Sequence, residues 1–191
     1  MSPRTEEQFK EIREQKRQII LDAALEIFAE EGYYSASIAK IAQKAGISKG
    51  LIYNYYKSKE ELVKKIAFDG IEKLMVPFDP NHDGILTQEE LIFMIDESFR
   101  ILHDNIKNWR LYFAIILQPS VFEIIKQRLF ELMLPVIEIT TNYFAKKGYE
   151  NPEVETRFLF AMLDGIFLNY IADTENFQLE AIKNKIIDMY K

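Results

Sequence analysis

The sequence predicts an all-α protein, in which a small N-terminal domain of three helices leads into a larger helical body. Apolar residues recur every three or four positions along most of the chain, and the breaks fall at glycine, proline and asparagine. The sequence lacks the stretches of alternating apolar and polar residues, separated by turn residues, that would indicate β-strands. With 191 residues, 48% of them hydrophobic, the chain can bury a substantial core.

The first helix is predicted over residues 6–30, because its apolar residues fall on one face and Gly32 follows it. Ser58 is typical of a helix N-cap, and Glu61 would complete a capping box with it. The remaining helices are expected at residues 37–44, 48–55, 58–75, 89–107, 110–116, 120–146, 152–172 and 179–190.

Charge is distributed unevenly along the chain. The formal net charge is -6, but residues 32–65 contain seven lysines and only two acidic residues. Because phosphate binding depends on local positive charge, this segment is compatible with nucleic-acid contact, although a lysine-rich stretch is more often a solvated face. We predict a small basic N-terminal domain over residues 1–65, continuing into a connecting helix to about residue 76, and a larger helical domain over residues 77–191.

The composition also excludes several classes of function. No apolar run suggests a membrane span or a signal peptide, so we expect a cytoplasmic protein with no membrane partner. The absence of cysteine excludes thiol catalysis and cysteine-ligated zinc. Without a phosphate-binding glycine loop or a nucleophile motif there is no reaction to assign. The prediction is therefore that the chain is not an enzyme and requires no cofactor.

Residues 37–55 have the pattern of a helix-turn-helix. Such a motif needs a small residue where two helices cross, a glycine that adopts positive φ in the turn, and apolar anchors. Ala42 and Gly46 supply the first two, and the anchors are Ile38, Ile41, Ile47, Leu51 and Ile52. The alternative is an ordinary helical hairpin in which Gly46 is only a C-cap.

In a helix-turn-helix the second helix enters the major groove with its N-terminal residues. Ser48 would cap the second helix. The candidates for base-edge or nearby backbone contact therefore lie in the first turn of that helix and on its exposed side, and they are Ser48, Lys49, Gly50 and Asn54. The candidates for phosphate contact are Ser37, Lys40, Tyr53, Tyr55, Lys57 and Lys59.

The same stretch resembles the N-terminal domain of TetR-family regulators, segment after segment in order. The segments are ALEIF at 24–28, EGY at 31–33, IAKIA at 38–42, AGISKG at 45–50 and LIYNYYKSKEEL at 51–62. Tyr56 departs from the phenylalanine that this family more often has, and a packed ring with a hydroxyl should serve there. The resemblance covers about residues 15 to 65. It implies a transcriptional regulator, in most cases a repressor.

The resemblance further implies a homodimer that binds a near-palindromic DNA operator and releases it when a small-molecule effector enters the C-terminal helices. We expect an apolar or aromatic effector, although aromatic residues at helical spacing are more often plain core. The candidate ligand-binding residues are Phe93, Phe99, Trp109, Tyr112, Phe113, Phe158, Met162 and Phe167.

The helix predicted at 152–172 is apolar on nearly every face from residue 157 onward. One side is expected to meet the core and another a second protomer, with the helix at 179–190 completing a four-helix dimer bundle. The alternative is a helix fully buried in the core.

The linker at residues 79–90 fits the twelve-residue calcium loop of an EF-hand. The ligands would be side-chain oxygens of Asp79, Asn81, Asp83, Thr87 and Glu90 and the carbonyl of Ile85. Calcium is therefore a possible cofactor, and a calcium-responsive regulator is the alternative function. Against it, EF-hands usually work in pairs and a second loop is absent, and a turn followed by a Thr87–Glu90 capping box explains part of the pattern.

Overall fold

The structure of the protein, a computed structural model, describes residues 5–81 and 83–191. Within those residues the regular secondary structure is helical and no strand is present, which confirms the predicted all-α class. A short 3₁₀ turn occupies Val76–Phe78. The helices are α1 (Glu6–Glu31), α2 (Ile38–Lys44), α3 (Lys49–Tyr53), α4 (Lys59–Met75), α5 (Gln88–Asp104), α6 (Ile106–Ile116), α7 (Pro119–Lys146), α8 (Pro152–Ala172) and α9 (Leu179–Met189).

Each predicted helix is present in the described part of the chain, and the largest differences are at three ends. The helix α3 ends at Tyr53 rather than near residue 55, and α5 ends at Asp104 rather than near residue 107. The chain breaks at Asn105, so α6 begins at Ile106 and not at Arg110. None of the helices in the described part of the chain is long and apolar enough to cross a membrane.

Local capping explains where several helices begin and end. Thr5 opens α1 with a capping box to Gln8, and Gly32, at φ 80°, closes it by donating its N–H to the carbonyl of Phe28. Before α4, the Ser58 hydroxyl accepts a hydrogen bond from the Glu61 N–H at 3.1 Å. The Glu61 carboxylate then accepts from the Lys57 N–H.

The chain forms two compact units. Unit 1 consists of residues up to Asp69 together with Leu111–Lys126, and unit 2 consists of Gly70–Arg110 and Gln127–Lys191. The sequence analysis predicted an N-terminal domain made of one continuous segment, with the boundary to the C-terminal domain between residues 65 and 77. In the structure, the end of α6 and the start of α7 pack within unit 1.

Two hydrogen-bonding side chains hold that added segment within unit 1. The Gln118 amide accepts from the Tyr33 N–H at 2.9 Å and donates to the Phe28 carbonyl at 3.0 Å. The hydroxyl of Tyr112, which is buried, donates to the Ala67 carbonyl at 2.9 Å. The Gln118 bond satisfies the Tyr33 N–H beyond the end of α1, and the other two bonds add a second donor to carbonyls of α1 and α4.

Unit 2 is built around an aromatic and aliphatic core. Phe99 of α5 and Phe167 of α8 are both buried, and their rings meet edge to face with centroids 5.4 Å apart. At the rim, Lys183 of α9 forms a 2.6 Å ion pair with Asp96 of α5. The Arg110 guanidinium donates to the Ile171 carbonyl, which closes the C-terminal end of α8.

Candidate nucleic-acid interface

The helices α2 and α3 and the turn between them form the predicted helix-turn-helix. Gly46 takes φ 65°, a conformation that strains residues with a Cβ, so glycine is the residue suited to this turn. The Ile47 N–H reaches back to the Ala42 carbonyl at 3.0 Å, and Ala42 is buried where the two helices meet. Ile41 and Ile52 are fully buried and anchor one helix each.

Serine hydroxyls cap both helices at their N-termini. The Ser37 hydroxyl accepts from the Lys40 N–H at 3.3 Å, and the Ser48 hydroxyl accepts from the Leu51 N–H at 3.2 Å. Ser48 therefore orients the beginning of α3, as the sequence predicted, and remains exposed.

One face of α3 is anchored and the other is open to solvent. Ile52 is fully buried, whereas Lys49, Gly50 and Asn54 are exposed and the Tyr53 ring is 47% exposed. The Lys49 ammonium lies 6.0 Å from the centroid of the Tyr53 ring, at the outer limit of a cation–π contact. The structure thus brings together five of the residues predicted to contact DNA on one short exposed surface, which we call the α3 face (Ser48, Lys49, Gly50, Tyr53 and Asn54).

The predicted phosphate contacts have different surroundings. Lys40 is exposed and pairs with Glu31 at 2.6 Å, an ion pair that solvent screens and that a phosphate can replace. Lys57 is exposed, and Tyr55 is half-buried with the Arg13 guanidinium 5.9 Å from its ring centroid. Whether these residues contact DNA stays a prediction.

Lys59 has a structural role that the sequence analysis missed. Its ammonium donates to the carbonyls of Tyr33 at 2.7 Å, Tyr34 at 3.2 Å and Ala36 at 3.0 Å, and it lies 4.5 Å from the centroid of the Tyr33 ring. These bonds use all three of its protons and close the loop between α1 and α2. A phosphate contact by Lys59 would have to displace one of them.

Tyr56 packs as an anchor beside the α3 face. Its side chain is buried, and this burial raises the pKa of the phenol to about 12. The ring fills part of the core of unit 1, as the sequence analysis expected of a packed ring with a hydroxyl at this position.

The predicted ligand-binding residues divide into three environments. In unit 2, Phe99, Trp109 and Phe167 are buried and Met162 is half-buried. In unit 1, Tyr112 is buried and Phe113 half-buried, with their rings packed edge to face. Phe93 and Phe158 are each 48% exposed. A ligand-binding role for these residues stays a prediction.

The loop at residues 79–90 closes on itself through hydrogen bonds. The Asp79 carboxylate accepts from the N–H groups of Asp83 and Gly84, and the Thr87–Glu90 capping box opens α5. The Asn81 amide donates to Asp83 at 3.1 Å and to Glu90 at 3.0 Å. In residues 5–81 and 83–191, no cluster of three or more His, Cys, Asp or Glu side chains is arranged to hold a metal ion.

Residues 20–66 match the family model described as bacterial regulatory proteins, tetR family. The fatty acid metabolism regulator protein of Bacillus subtilis (strain 168) is 23% identical over 179 residues, covering 89% of this chain and 91% of its own. The transcriptional regulator HbdR of Aromatoleum sp. (strain CIB) is 42% identical over 50 residues, which are 26% of this chain and 22% of its own.

Solved structures show the same fold along nearly the whole chain. NalD of Pseudomonas aeruginosa, the secondary repressor of a multidrug efflux pump, superposes with a TM-score of 0.72 at 22% identity, covering 93% of this chain and 96% of its own. FadR of Bacillus subtilis in complex with stearoyl-CoA superposes with a TM-score of 0.65 at 23% identity, covering 91% and 97%.

These findings agree with the exposed second helix of the helix-turn-helix. The similar curated proteins are transcriptional regulators, a class that acts by binding DNA and not by catalysing a reaction. Residues 20–66 therefore match the tetR family of bacterial regulatory proteins, and the chain is similar over most of its length to bacterial regulators.

Proposed function

We propose that the protein is a dimeric repressor that reads a near-palindromic operator with one α3 face from each protomer. The observation that carries this proposal is the division of α3 into a buried side at Ile52 and an exposed side at Lys49, Tyr53 and Asn54. A helix held in this way presents donors and acceptors to base edges without losing its anchor in the core. Such a protein acts on genomic DNA, and hence in the cytoplasm.

The proposed effector is an apolar small molecule, with a long-chain acyl-CoA as the first candidate. One support is the likeness to FadR of Bacillus subtilis, whose solved structure contains stearoyl-CoA. Another is the aromatic character of the unit 2 interior around Phe99 and Phe167. An effector releases DNA only if it binds better to the form of the protein that cannot bind the operator.

The test begins with genomic fragments selected for binding to the protein, followed by gel-shift titration of one fragment with stearoyl-CoA. We expect the acyl-CoA to weaken operator binding by roughly 5- to 150-fold, the usual range of coupling between two sites. Coenzyme A without the acyl chain is the matched control and should have no effect. If fragments are selected but stearoyl-CoA does not change their binding, the proposed effector is wrong and the proposed repressor function still holds. If no fragment is selected, the proposed repressor function itself is wrong.

A second candidate function is calcium binding at residues 79–90. Its support is the sequence motif, in which Asn81, Asp83 and Glu90 are the third, fifth and twelfth positions, and in the structure the Asn81 amide donates to both carboxylates. The Asp83 and Glu90 carboxylates already accept hydrogen bonds from the Asn81 amide, and Glu90 also accepts one from the Thr87 N–H. Calcium would therefore have to replace these hydrogen bonds in order to bind.

Calorimetric titration with CaCl₂ tests the loop. If the motif binds calcium, the wild type should give a saturable heat that Glu90→Gln removes, because the bidentate carboxylate is lost while the amide can still cap α5. No heat from the wild type, or the same heat from Glu90→Gln, would show that the loop is only a turn with a capping box.

A further inference from the structure

One line of side chains along α1 changes from basic to apolar halfway along the helix. Residues spaced three and four apart lie on the same side of a helix. In the second half of α1 this line is buried in the core of unit 1, at Ile20, Ala24 and Ile27. In the first half it is cationic, and with one adjacent lysine it forms what we call the α1 basic stripe: Lys10, Arg13, Lys16 and Arg17.

The α1 basic stripe keeps most of its positive charge. Within residues 5–81 and 83–191, three of its four cations form no ion pair, and Arg17 pairs only with Glu14 of α1 itself, at 3.2 Å. Of the acidic residues in this half of the helix, Glu7, Glu11 and Glu14 follow a different line, and Glu6 alone lies on the side of the stripe. The stripe therefore presents a net positive charge to solvent.

Residues 32–65, the basic segment of the sequence, carry less free positive charge in the structure than their composition indicates. Lys59 donates to three backbone carbonyls. Four of the seven lysines pair with a carboxylate at 2.6 Å, and they are Lys40, Lys44, Lys64 and Lys65. In the described part of the chain, this leaves Lys49 and Lys57 without an ion pair. Because DNA affinity depends on cations that can neutralise phosphates, three unpaired cations on α1 are a substantial addition.

The α1 basic stripe lies beside the end of α3. The Arg13 guanidinium is 5.9 Å from the ring centroid of Tyr55, which comes two residues after the last residue of α3, Tyr53. A recognition helix enters the major groove with its N-terminal residues, so its C-terminal end lies near the phosphates at the edge of the groove. Cations beside Tyr55 are then within reach of those phosphates.

We propose that the α1 basic stripe is a second DNA contact, which binds the phosphates at the edge of the groove that α3 occupies. This inference rests on the proposed function and extends it to residues that precede the family match at 20–66. From Lys10 to Arg17 the stripe is about 10 Å long, enough to meet at least two successive phosphates of one strand. Phosphate contacts hold the protein on DNA without reading bases, so the stripe contributes affinity and not sequence preference.

The test replaces the three unpaired cations of the stripe with glutamine in one chain, as Lys10→Gln, Arg13→Gln and Lys16→Gln. Glutamine is a good helix former, so α1 should persist. The control chain carries the same substitution at three exposed lysines of unit 2 that form no ion pair among the described residues, which are Lys107, Lys146 and Lys185. Fluorescence anisotropy titration of a selected genomic fragment at several salt concentrations measures the affinity and the salt dependence of each chain.

The salt dependence should fall in the stripe variant and not in the control. Each phosphate contact contributes about 0.9 to the slope of log affinity against log salt concentration, so a dimer that loses three contacts from each protomer should lose roughly 5. The affinity should fall about tenfold or more, and by the same factor for the selected fragment and for an unrelated one. Exchanging lysine for arginine and arginine for lysine at the same three positions keeps the charges and should restore the wild-type slope.

Several results would overturn the stripe while keeping the proposed repressor. They are a stripe variant that binds like the control, a loss confined to the selected fragment with an unchanged slope, and a charge-keeping variant that does not restore the slope. Binding of the stripe to phosphatidylglycerol vesicles with no change in the DNA slope would also overturn it. A wild type that binds no genomic fragment would reject the stripe and the proposed function together.

Discussion

Replacing both Lys49 and Tyr53 with alanine is expected to lower operator affinity by about two orders of magnitude or more. Both side chains project from the exposed side of α3, and each lost base or phosphate contact costs roughly 1–3 kcal/mol in complexes of this kind. Because each protomer of a dimer carries the change, the loss occurs at both half-sites. Fluorescence anisotropy titration of a labelled operator at fixed salt measures it.

The folded state should be insensitive to the same double substitution. Neither side chain is part of the core that Ile41, Ile52 and Tyr56 build, so the thermal unfolding midpoint and the dimer mass should match those of the wild type. Lys107→Ala removes a lysine from α6, outside the predicted interface, and serves as the control. If the double variant bound the operator as tightly as the wild type, α3 would not be the recognition helix. If its binding depended on salt concentration as the wild type's does, Lys49 would not contact a phosphate.

The helix-turn-helix could be predicted because its determinants are local. Ser37, Ser48 and Gly46 act on backbone groups within a few residues of themselves, so their signals can be read along the sequence. The buried positions Ile41 and Ile52 follow the helical period for the same reason. Once the buried positions of α3 are assigned, the other residues of that helix are predicted to be exposed.

The contacts made by Lys59 and Gln118 could not be predicted, because their partners are distant in sequence. Gln118 bonds to backbone groups 85 and 90 residues earlier, and no pattern around residue 118 indicates them. Lys59 is one of seven lysines in a basic segment, and only its position beside three carbonyls distinguishes it from the exposed ones. The break at Asn105 escaped prediction because asparagine also occurs inside helices of this chain, as at Asn142 and Asn169, and does not by itself mark an end.

Aromatic residues of the C-terminal helices illustrate a different limit. Phe158 and Phe167 both lie on α8 and satisfy the same apolar periodicity, yet one is 48% exposed and the other 6% exposed. Periodicity shows that a face is apolar, but it does not distinguish a face that packs in the core from one that meets a ligand or a second chain. Only the packing of α5 against α8, with Phe99 on Phe167, separates the two positions.

The central claim, that α3 lies in a groove of the operator, can be tested by cutting DNA from that helix. The natural chain has no cysteine, so Asn54→Cys creates a single attachment point for an iron chelate that cleaves nearby DNA. Lys185→Cys, exposed on α9 in unit 2, carries the same chelate as the control.

The expected result is cleavage at two positions related by the operator's dyad, separated by about 10 base pairs or a multiple of that helical repeat. The control chelate should produce no such paired cuts. A chelate at residue 54 that leaves the bound operator uncut, or cuts it no differently from a chelate at residue 185, would contradict the claim.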